Sequence, residues 1–315
     1  MAQQYALVTG AAGFIGSRLT EKLIARGRNV IALDCFLPDL YSSDVKRGRW
    51  ERLTGKEDQQ LIKIEFDMRK DDFAKLGSYE VSSVFNEAAM PGLIQDWGKF
   101  QPYYDCNISA LNRLLEFVRT KSIESFVHAS TSSVYGKNAV GIENQELRPT
   151  SPYGVSKLAA EKLLLAYLEW HSTPLKILRY FSVYGPNQRP DMAYAKIIEN
   201  LKQDSEFVIH GDGEQRRSNT FIDDIVEATL LSENQANPGD VMNICGDETV
   251  SLNQAISIIE NSAEKSLKKR YVEARIGDQR ETSGSNNFAK ERLGWVAKVG
   301  IEEGLELQVK AALKN

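Results

Sequence analysis

Short apolar runs alternate with helical repeats of apolar residues along most of the chain. The first run, residues 5–8, ends in glycines, and apolar side chains then recur at helical spacing over residues 14–25 until Gly27. A second run over residues 30–33 ends at Asp34. This order predicts a strand, a glycine turn, a helix and a second strand, which together form a βαβ unit.

Further apolar runs predict more strands, and helical patterns lie between most of them. The predicted strands cover residues 61–66, 84–85, 126–129, 175–181 and 241–244. The helical patterns include residues 108–119 and 157–170. Alternation of this kind predicts an α/β fold of the Rossmann type, a doubly wound parallel sheet covered by helices on both faces.

Two segments fit this alternation poorly and are richer in polar residues. They cover about residues 186–217 and 247–315, and we expect them to form a smaller, C-terminal substrate-binding domain. In open α/β folds, ligands bind at the carboxyl edge of the sheet, where such a domain would lie. Residues 1–185 and about 218–246 then form the larger domain.

Composition argues against several kinds of partner. The net charge of −4 does not supply the basic field that a nucleic-acid-binding protein needs. No run approaches the roughly 18 apolar residues of a membrane span, and the N-terminal residues do not resemble a secretion signal. The three cysteines form no CxxC pair, and the three histidines have no metal-ligand spacing. We therefore expect a cytoplasmic protein with no nucleic-acid, membrane or metal partner.

The segment TGAAGFIG, residues 9–16, lies between the first predicted strand and the first predicted helix. Gly10 and Gly13 permit a tight turn, and the helix N-terminus at Phe14 and Ile15 offers free N–H groups to a pyrophosphate. Asp34 ends the second strand, where a carboxylate binds ribose hydroxyls and repels a 2′-phosphate. This arrangement predicts a dinucleotide site that prefers NAD to NADP.

Asp67 ends the third predicted strand in a similar position. With its neighbour Met68, it is predicted to contact the adenine edge of the cofactor. A simple loop aspartate is the alternative interpretation.

Only one of the twelve tyrosines, Tyr153, is followed by a lysine four residues later, at Lys157. Ser151 and Pro152 predict that a helix begins just ahead of Tyr153, so the two side chains share a face. An ammonium group near the phenol, together with a cationic nicotinamide, lowers the pKa of a tyrosine. Tyr153 is therefore a candidate general base, and an exposed helical pair is the alternative.

Four hydroxyl side chains, residues 130–133, follow the predicted strand 126–129. At a carboxyl strand end they are placed to hydrogen-bond a sugar hydroxyl. A hydroxyl-rich turn is the alternative interpretation.

Together, the segments TGAAGFIG, STSSVYG, SPYGVSK and RYFSVYGPNQRPDMAY resemble the nucleotide-sugar epimerase branch of the extended short-chain dehydrogenase/reductase family. The resemblance covers nearly the whole chain and implies that Thr131, Tyr153 and Lys157 are catalytic. It implies that the larger domain binds NAD and the smaller one a nucleotide sugar. The additional NAD contacts that it implies are Ala88, Ala89, Ser130 and Phe181. The substrate contacts that it implies are Thr131, Ser132, Ser182, Arg189, Arg217, Arg275 and Asp278.

The implied reaction is inversion of C4 in a UDP-sugar by transient oxidation. Related dehydratases and decarboxylases carry acidic residues at the positions of Ser132 and Ser133, or at the second of these alone. Serine supplies no general acid or base, which favours epimerisation. The sugar stays open among UDP-glucose, UDP-glucuronate and UDP-N-acetylhexosamines. A dehydratase, a decarboxylase and a non-catalytic NAD(H) sensor are the alternatives.

The chain also departs from the family pattern. The usual His-Leu before the paired alanines is Asn86-Glu87 here, and the Asn of the RYFN pattern is Ser182. The helices predicted over residues 102–119 and 152–170 correspond to those that form a dimer interface in relatives. We therefore expect a homodimer.

Overall fold

The fold is seen in a computed structural model, which describes residues 3–38, 40–57, 59–92, 97–137, 139–274 and 280–314. Its strands are β1 (Gln4–Thr9), β2 (Asn29–Asp34), β3 (Leu61–Glu65), β4 (Glu80–Asn86), β5 (Ser125–Thr131), β6 (Ala139–Gly141), β7 (Leu175–Tyr180), β8 (Val183–Tyr184), β9 (Glu206–His210), β10 (Arg216–Ser218), β11 (Thr220–Phe221), β12 (Val241–Ile244), β13 (Thr249–Ser251), β14 (Lys268–Val272) and β15 (Glu281–Gly284). Its α-helices are α1 (Phe14–Ala25), α2 (Ser43–Arg52), α3 (Gln101–Tyr103), α4 (Ala110–Val118), α5 (Pro152–His171), α6 (Ala193–Lys202), α7 (Ile222–Gln235), α8 (Leu252–Ala263), α9 (Asn287–Leu293) and α10 (Ile301–Leu313).

Within the described ranges, seven strands form a parallel sheet in the order β12-β7-β5-β4-β1-β2-β3. The chain runs outward from β1 to β3 and then returns to β4 on the other side of β1. The strand order therefore reverses between β1 and β4, at the kind of switch point where open α/β sheets bind ligands. The predicted Rossmann-type fold is confirmed.

The sheet buries both of its faces because successive side chains on each strand point in opposite directions. On β1, Leu7 belongs to the apolar cluster that includes Leu111 of α4. Its neighbour Val8 belongs to the other cluster, with Leu19 of α1 and Ile225 of α7. Helices therefore cover both faces, and the polar side chains at the strand ends face the carboxyl edge.

The later part of the chain adds smaller sheets. Four strands pair in the order β13-β10-β15-β6, and β14 pairs with β9. Helices α8 and α10 pack against each other beside them. No helix in the described part of the chain is both long and apolar enough to cross a membrane.

Two elements differ most from their predicted bounds. Strand β4 is longer than residues 84–85 because Ser82 and Ser83, which interrupt the apolar run, are buried inside the sheet. The helix predicted from residue 108 begins earlier, with α3 and a π-helical segment, Tyr104–Ser109, that leads into α4. This segment directs Asn107 inward, where its Oδ1 accepts a hydrogen bond from the Met90 N–H at 2.7 Å.

Candidate active site

A cavity of about 640 Å³ opens at the carboxyl edge of the large sheet. Every predicted site residue that the structure describes lines this cavity: Gly10, Gly13, Phe14, Ile15, Asp34, Asp67, Met68, Ala88, Ala89, Ser130, Thr131, Ser132, Tyr153, Lys157, Phe181, Ser182, Arg189 and Arg217. The predicted Arg275 and Asp278 lie outside the described residues. Residues that are far apart in the sequence therefore surround one cavity.

The glycine turn brings α1 close to the cavity. Gly10 has a φ of +67°, and a Cβ there would lie 2.8 Å from the Ala88 backbone nitrogen. A Cβ on Gly16 would lie 2.2 Å from the Gly10 carbonyl oxygen, so the helix packs directly on the turn. No described side chain caps the amino end of α1, which leaves its first N–H groups for an anion. This arrangement fits a pyrophosphate.

Asp34 is held rigidly at the end of β2. Its two carboxylate oxygens accept hydrogen bonds from the N–H groups of Ala12 and Phe36, at 2.9 and 2.8 Å. The side chain is 8% exposed and lines the cavity. A fixed carboxylate at this position suits vicinal ribose hydroxyls.

Asp67 has a partner that the sequence did not suggest. Arg69 donates to both of its carboxylate oxygens, at 2.9 and 2.8 Å, and these hydrogen bonds lower the pKa of Asp67. Arg69 itself lines the cavity. The only sequence signal for Arg69 was its place just after the third strand.

The helix that carries Tyr153 and Lys157 begins as predicted. Pro152 is its first residue, and Ser151 Oγ accepts a hydrogen bond from the Gly154 N–H at 3.1 Å. The ε-amine of Lys157 donates to the Ala129 carbonyl and lies 3.1 Å from His128 Nε2. Burial lowers the pKa of Lys157 to about 8, although two carboxylates, Glu87 and Glu161, act in the opposite direction.

Tyr153 lines the cavity, and burial dominates the effect of the protein on its phenol. Burial raises its pKa above the ordinary value of 10, while a hydrogen bond with Thr131 and the charge of Arg189 oppose this effect. The sequence predicts a lowered pKa when Lys157 and a cationic nicotinamide act together, and that stays a prediction for the complex with the cofactor. The amine of Lys157 contacts His128 and the Ala129 carbonyl.

The four consecutive hydroxyls do not act alike. Thr131 Oγ1 accepts a hydrogen bond from the Ser133 N–H at 3.1 Å and so begins a short 3₁₀ turn, Ser132–Tyr135. The hydroxyl of Ser130 instead donates to Glu161 Oε1 at 2.5 Å. Ser130 therefore also supports the loop from inside, and all four residues line the cavity.

The substrate side of the cavity carries two predicted arginines. Arg189 donates to both carboxylate oxygens of Asp191, at 3.0 and 2.7 Å. Arg217 on β10 is paired in register with Thr282 on β15, and both line the cavity. Arg189 is thus paired with a carboxylate, and Arg217, whose Nη1 donates to the Arg216 carbonyl at 2.7 Å, projects from the smaller sheet.

Glu87 is a site residue that sequence reasoning recorded only as a departure from the family pattern. Its Oε1 lies 3.0 Å from Tyr180 Oη, which lies 2.7 Å from Thr229 Oγ1. Thr229 already donates its proton to the Ile225 carbonyl. Burial raises the pKa of Glu87 to about 7, although the hydrogen bond that Tyr180 donates to its carboxylate and the charge of Lys157 act in the opposite direction.

Known proteins share this sequence and geometry. The sequence model of the NAD dependent epimerase/dehydratase family matches residues 6–245. A Bacillus subtilis protein named as an uncharacterized UDP-glucose epimerase, YtcB, is 38% identical over 96% of each chain. The UDP-glucuronate 4-epimerase of Thermodesulfobacterium geofontis is 33% identical over 99% of this chain and 97% of its own. A UDP-glucuronic acid 4-epimerase from Bacillus cereus, solved with UDP-glucuronic acid and NAD, superposes with a TM-score of 0.92 at 36% identity, covering 98% of this chain and 99% of that one.

Proposed function

Because this chain belongs to the NAD dependent epimerase/dehydratase family, we propose that it inverts C4 of a UDP-sugar through a transient 4-keto sugar. One observation carries this proposal: Thr131, Tyr153 and Lys157 line the same cavity as the glycine turn and Asp34. That cavity therefore offers adjacent places for NAD and a sugar. The named activities of the relatives give the reaction class, and the sequence motifs predicted the same class.

The catalytic roles follow from the chemistry of three side chains. Tyr153 takes the proton from the sugar O4, and Thr131 hydrogen-bonds the same oxygen. Bound NAD would supply the hydride acceptor for C4 and the hydride donor for reduction of the 4-keto sugar from its opposite face. Because burial raises the pKa of Tyr153, the phenolate needs nearby positive charge. The charge of Arg189 acts in this direction, and Lys157 lies one turn away on the same helix.

The remaining wall residues would hold the two ligands. Pyrophosphate would lie at the amino end of α1, and Asp34 would bind the adenosine ribose. The other cofactor contacts would be Asp67, Met68, Ala88, Ala89, Ser130 and Phe181. For the substrate, Arg217 would bind the diphosphate with the predicted Arg275, the predicted Asp278 would bind the nucleotide ribose, and Ser132, Ser182 and Arg189 would surround the sugar.

A panel of UDP-sugars, followed by NMR of the products, tests the proposal. We expect the C4 epimer of UDP-glucose, UDP-glucuronate or a UDP-N-acetylhexosamine, without net consumption of NAD. The variant Tyr153→Phe should abolish turnover. Tyr167→Phe is the matched control, because Tyr167 lies on the same helix as Tyr153 but its hydroxyl contacts Glu116 and Asn112 of α4.

A dehydratase or decarboxylase is the second candidate, and Glu87 favours it. A carboxyl with a pKa of about 7 at the cavity wall can act as a general acid, a role that Ser132 and Ser133 do not provide. Loss of water or CO₂ from any sugar in the panel would replace the epimerase proposal. If the Glu87→Gln variant stops only that loss, Glu87 is its acid.

A homodimer in the cytoplasm completes the proposal. Helix α5 carries Trp170, which is 79% exposed, and partly buried leucines near its outer face. A partner chain packed along α4 and α5 would cover these side chains. Light scattering should give twice the 35.3 kDa mass of one chain, and a single-chain mass would refute the dimer.

A further inference from the structure

A line of buried polar groups lies behind Lys157. Thr9 Oγ1 donates to Asn86 Oδ1 at 2.6 Å, and Asn86 Nδ2 lies 2.8 Å from His128 Nδ1. On the other side of the imidazole, Nε2 lies 3.1 Å from the Lys157 amine. Thr9, Asn86 and His128 are paired in register across three neighbouring strands and are at most 2% exposed. This line, Thr9-Asn86-His128-Lys157, ends at the lysine that the proposed reaction needs.

The protons in this line have two self-consistent arrangements. In the first, the Asn86 amide donates to His128 Nδ1, so the imidazole proton is on Nε2 and Lys157 must accept as a neutral amine. In the second, the Asn86 amide is reversed and its oxygen accepts from Nδ1–H. His128 Nε2 then accepts from a charged Lys157. The two arrangements differ by one proton on Lys157, by the imidazole nitrogen that carries the proton and by the orientation of one amide, whose nitrogen donates to Thr9 Oγ1 in the second.

Resting on the function proposed above, we propose that His128 and Asn86 are positioning residues that hold the Lys157 amine and couple its charge to the orientation of the Asn86 amide. The departure from the usual His-Leu pattern then has a physical role. The imidazole stands on β5, directly below the lysine, and an amide that can reverse stands beside it on β4.

Other charged groups around Lys157 do not replace this support. Glu87 after β4 and Glu161 on α5 act on the lysine through their charges, and Tyr153 lies one turn away on the same helix. Burial and the charge of Lys157 lower the pKa of His128 well below 6.5, so the imidazole is neutral at pH 7. A neutral imidazole can accept from the ammonium, whereas a charged one would repel it.

The test measures Tyr153 directly and does not depend on turnover. In protein labelled with ¹³C at the tyrosine ζ carbons, the Tyr153 signal is identified by its absence in Tyr153→Phe and titrated with pH. His128→Phe removes the acceptor, so Lys157 loses charge and the pKa of Tyr153 should rise by about one unit. His128→Gln places an amide oxygen near the position of Nε2 and should restore the original titration.

Asn86→Asp should move the titration in the opposite direction. A carboxylate can only accept from Nδ1–H, which leaves Nε2 as an acceptor and favours the charged lysine, so the pKa of Tyr153 should fall. His171→Gln is the control, because His171 is exposed at the end of α5. Circular dichroism and thermal unfolding establish that each variant is folded.

Two results would overturn the inference. One is a folded His128→Phe variant whose Tyr153 titration matches that of the wild type. The other is His128→Gln and His128→Phe shifting the titration equally. Failure of the UDP-sugar panel would instead reject the proposed reaction and leave these titrations interpretable.

Discussion

Two buried charged side chains lie one turn apart on α5 in opposite surroundings. Glu161 accepts two hydrogen bonds from Arg179, at 2.8 and 3.0 Å, and a third from Ser130. Lys157, four residues earlier, forms no ion pair with a carboxylate among the described residues. Its amine contacts His128 and the Ala129 carbonyl instead. The region of α5 around Glu161, which we call the matched region, therefore pairs its buried charge with an opposite charge. In the region around Lys157, the unmatched region, the described residues provide no such partner.

This difference distinguishes a structural ion pair from groups that can take part in a reaction. Burial opposes the charge on Arg179, yet its hydrogen bonds with Glu161 raise its pKa, so the guanidinium stays charged at any ordinary pH. In the unmatched region, burial lowers the pKa of Lys157 to about 8 and raises that of Glu87 to about 7. Lys157 and Glu87 can therefore change protonation near neutral pH. Shifted pKa values of this kind are common at reactive sites.

Lys157→Met should have the largest effect on activity. We expect turnover of the UDP-sugar to fall by about 10³-fold, because the phenolate of Tyr153 loses its nearest cationic neighbour on α5. NAD and substrate affinities, measured separately by calorimetry, distinguish a loss of chemistry from a loss of binding. Turnover within about threefold of the wild type would contradict a role for Lys157 in the reaction.

The same variant should not be less stable than the wild type at pH 7. The folded state holds the Lys157 pKa at about 8, below the ordinary value of 10.5, so the charged lysine opposes folding below pH 8. That penalty disappears as the pH rises from 8 to 10.5, because the folded lysine becomes neutral. Urea unfolding should therefore show an advantage for Lys157→Met that shrinks above pH 8.

Arg179→Met, in the matched region, should lower the stability of the protein. It leaves Glu161 as an unpaired buried carboxylate, which should lower the free energy of unfolding by about 3–5 kcal/mol. Lys268→Met is the control, since it breaks an exposed ion pair with Asp204 and should cost less than about 1 kcal/mol. Equal losses in the two variants would show that Arg179 and Glu161 do not form a stabilising pair.

Local sequence rules predicted the fold and most of the cavity wall. The turn at residues 9–16, the start of α5 and the spacing of Tyr153 and Lys157 each depend on residues close together in the chain. The parallel sheet then follows, because each strand is separated from the next by helices. The carboxyl ends of parallel strands meet at one edge, which explains why the predicted site residues share a cavity.

The charge states could not be predicted in the same way. The contact between Asn86 and His128 depends on the register of β4 against β5, and no local pattern specifies that register. The sequence predicts too short a β4 because serines such as Ser82 and Ser83 are typical of turns, although here they are buried in the strand. The raised pKa of Tyr153 depends on burial, which spacing alone does not reveal.

The pH dependence of the wild-type enzyme offers a smaller effect. If Lys157 must be charged, kcat/KM should fall about tenfold per pH unit above about pH 8. Arg179 should contribute nothing to this profile, since its guanidinium stays charged there. A rate that stays constant to pH 10 would mean that the charge of Lys157 does not matter.

Glu87→Gln should have the smallest effect: a shift of the basic limb of the kcat/KM profile, the decline above about pH 8. The carboxylate of Glu87 helps to keep Lys157 protonated, so its removal should move the limb to lower pH by about half a unit. Glu169→Gln, an exposed change on α5, should leave the limb where it is. Because Glu87 itself loses a proton near pH 7, its effect should be strongest above that pH, when both groups are charged. A basic limb that did not move in Glu87→Gln would mean that Lys157 is controlled by His128 and by burial alone.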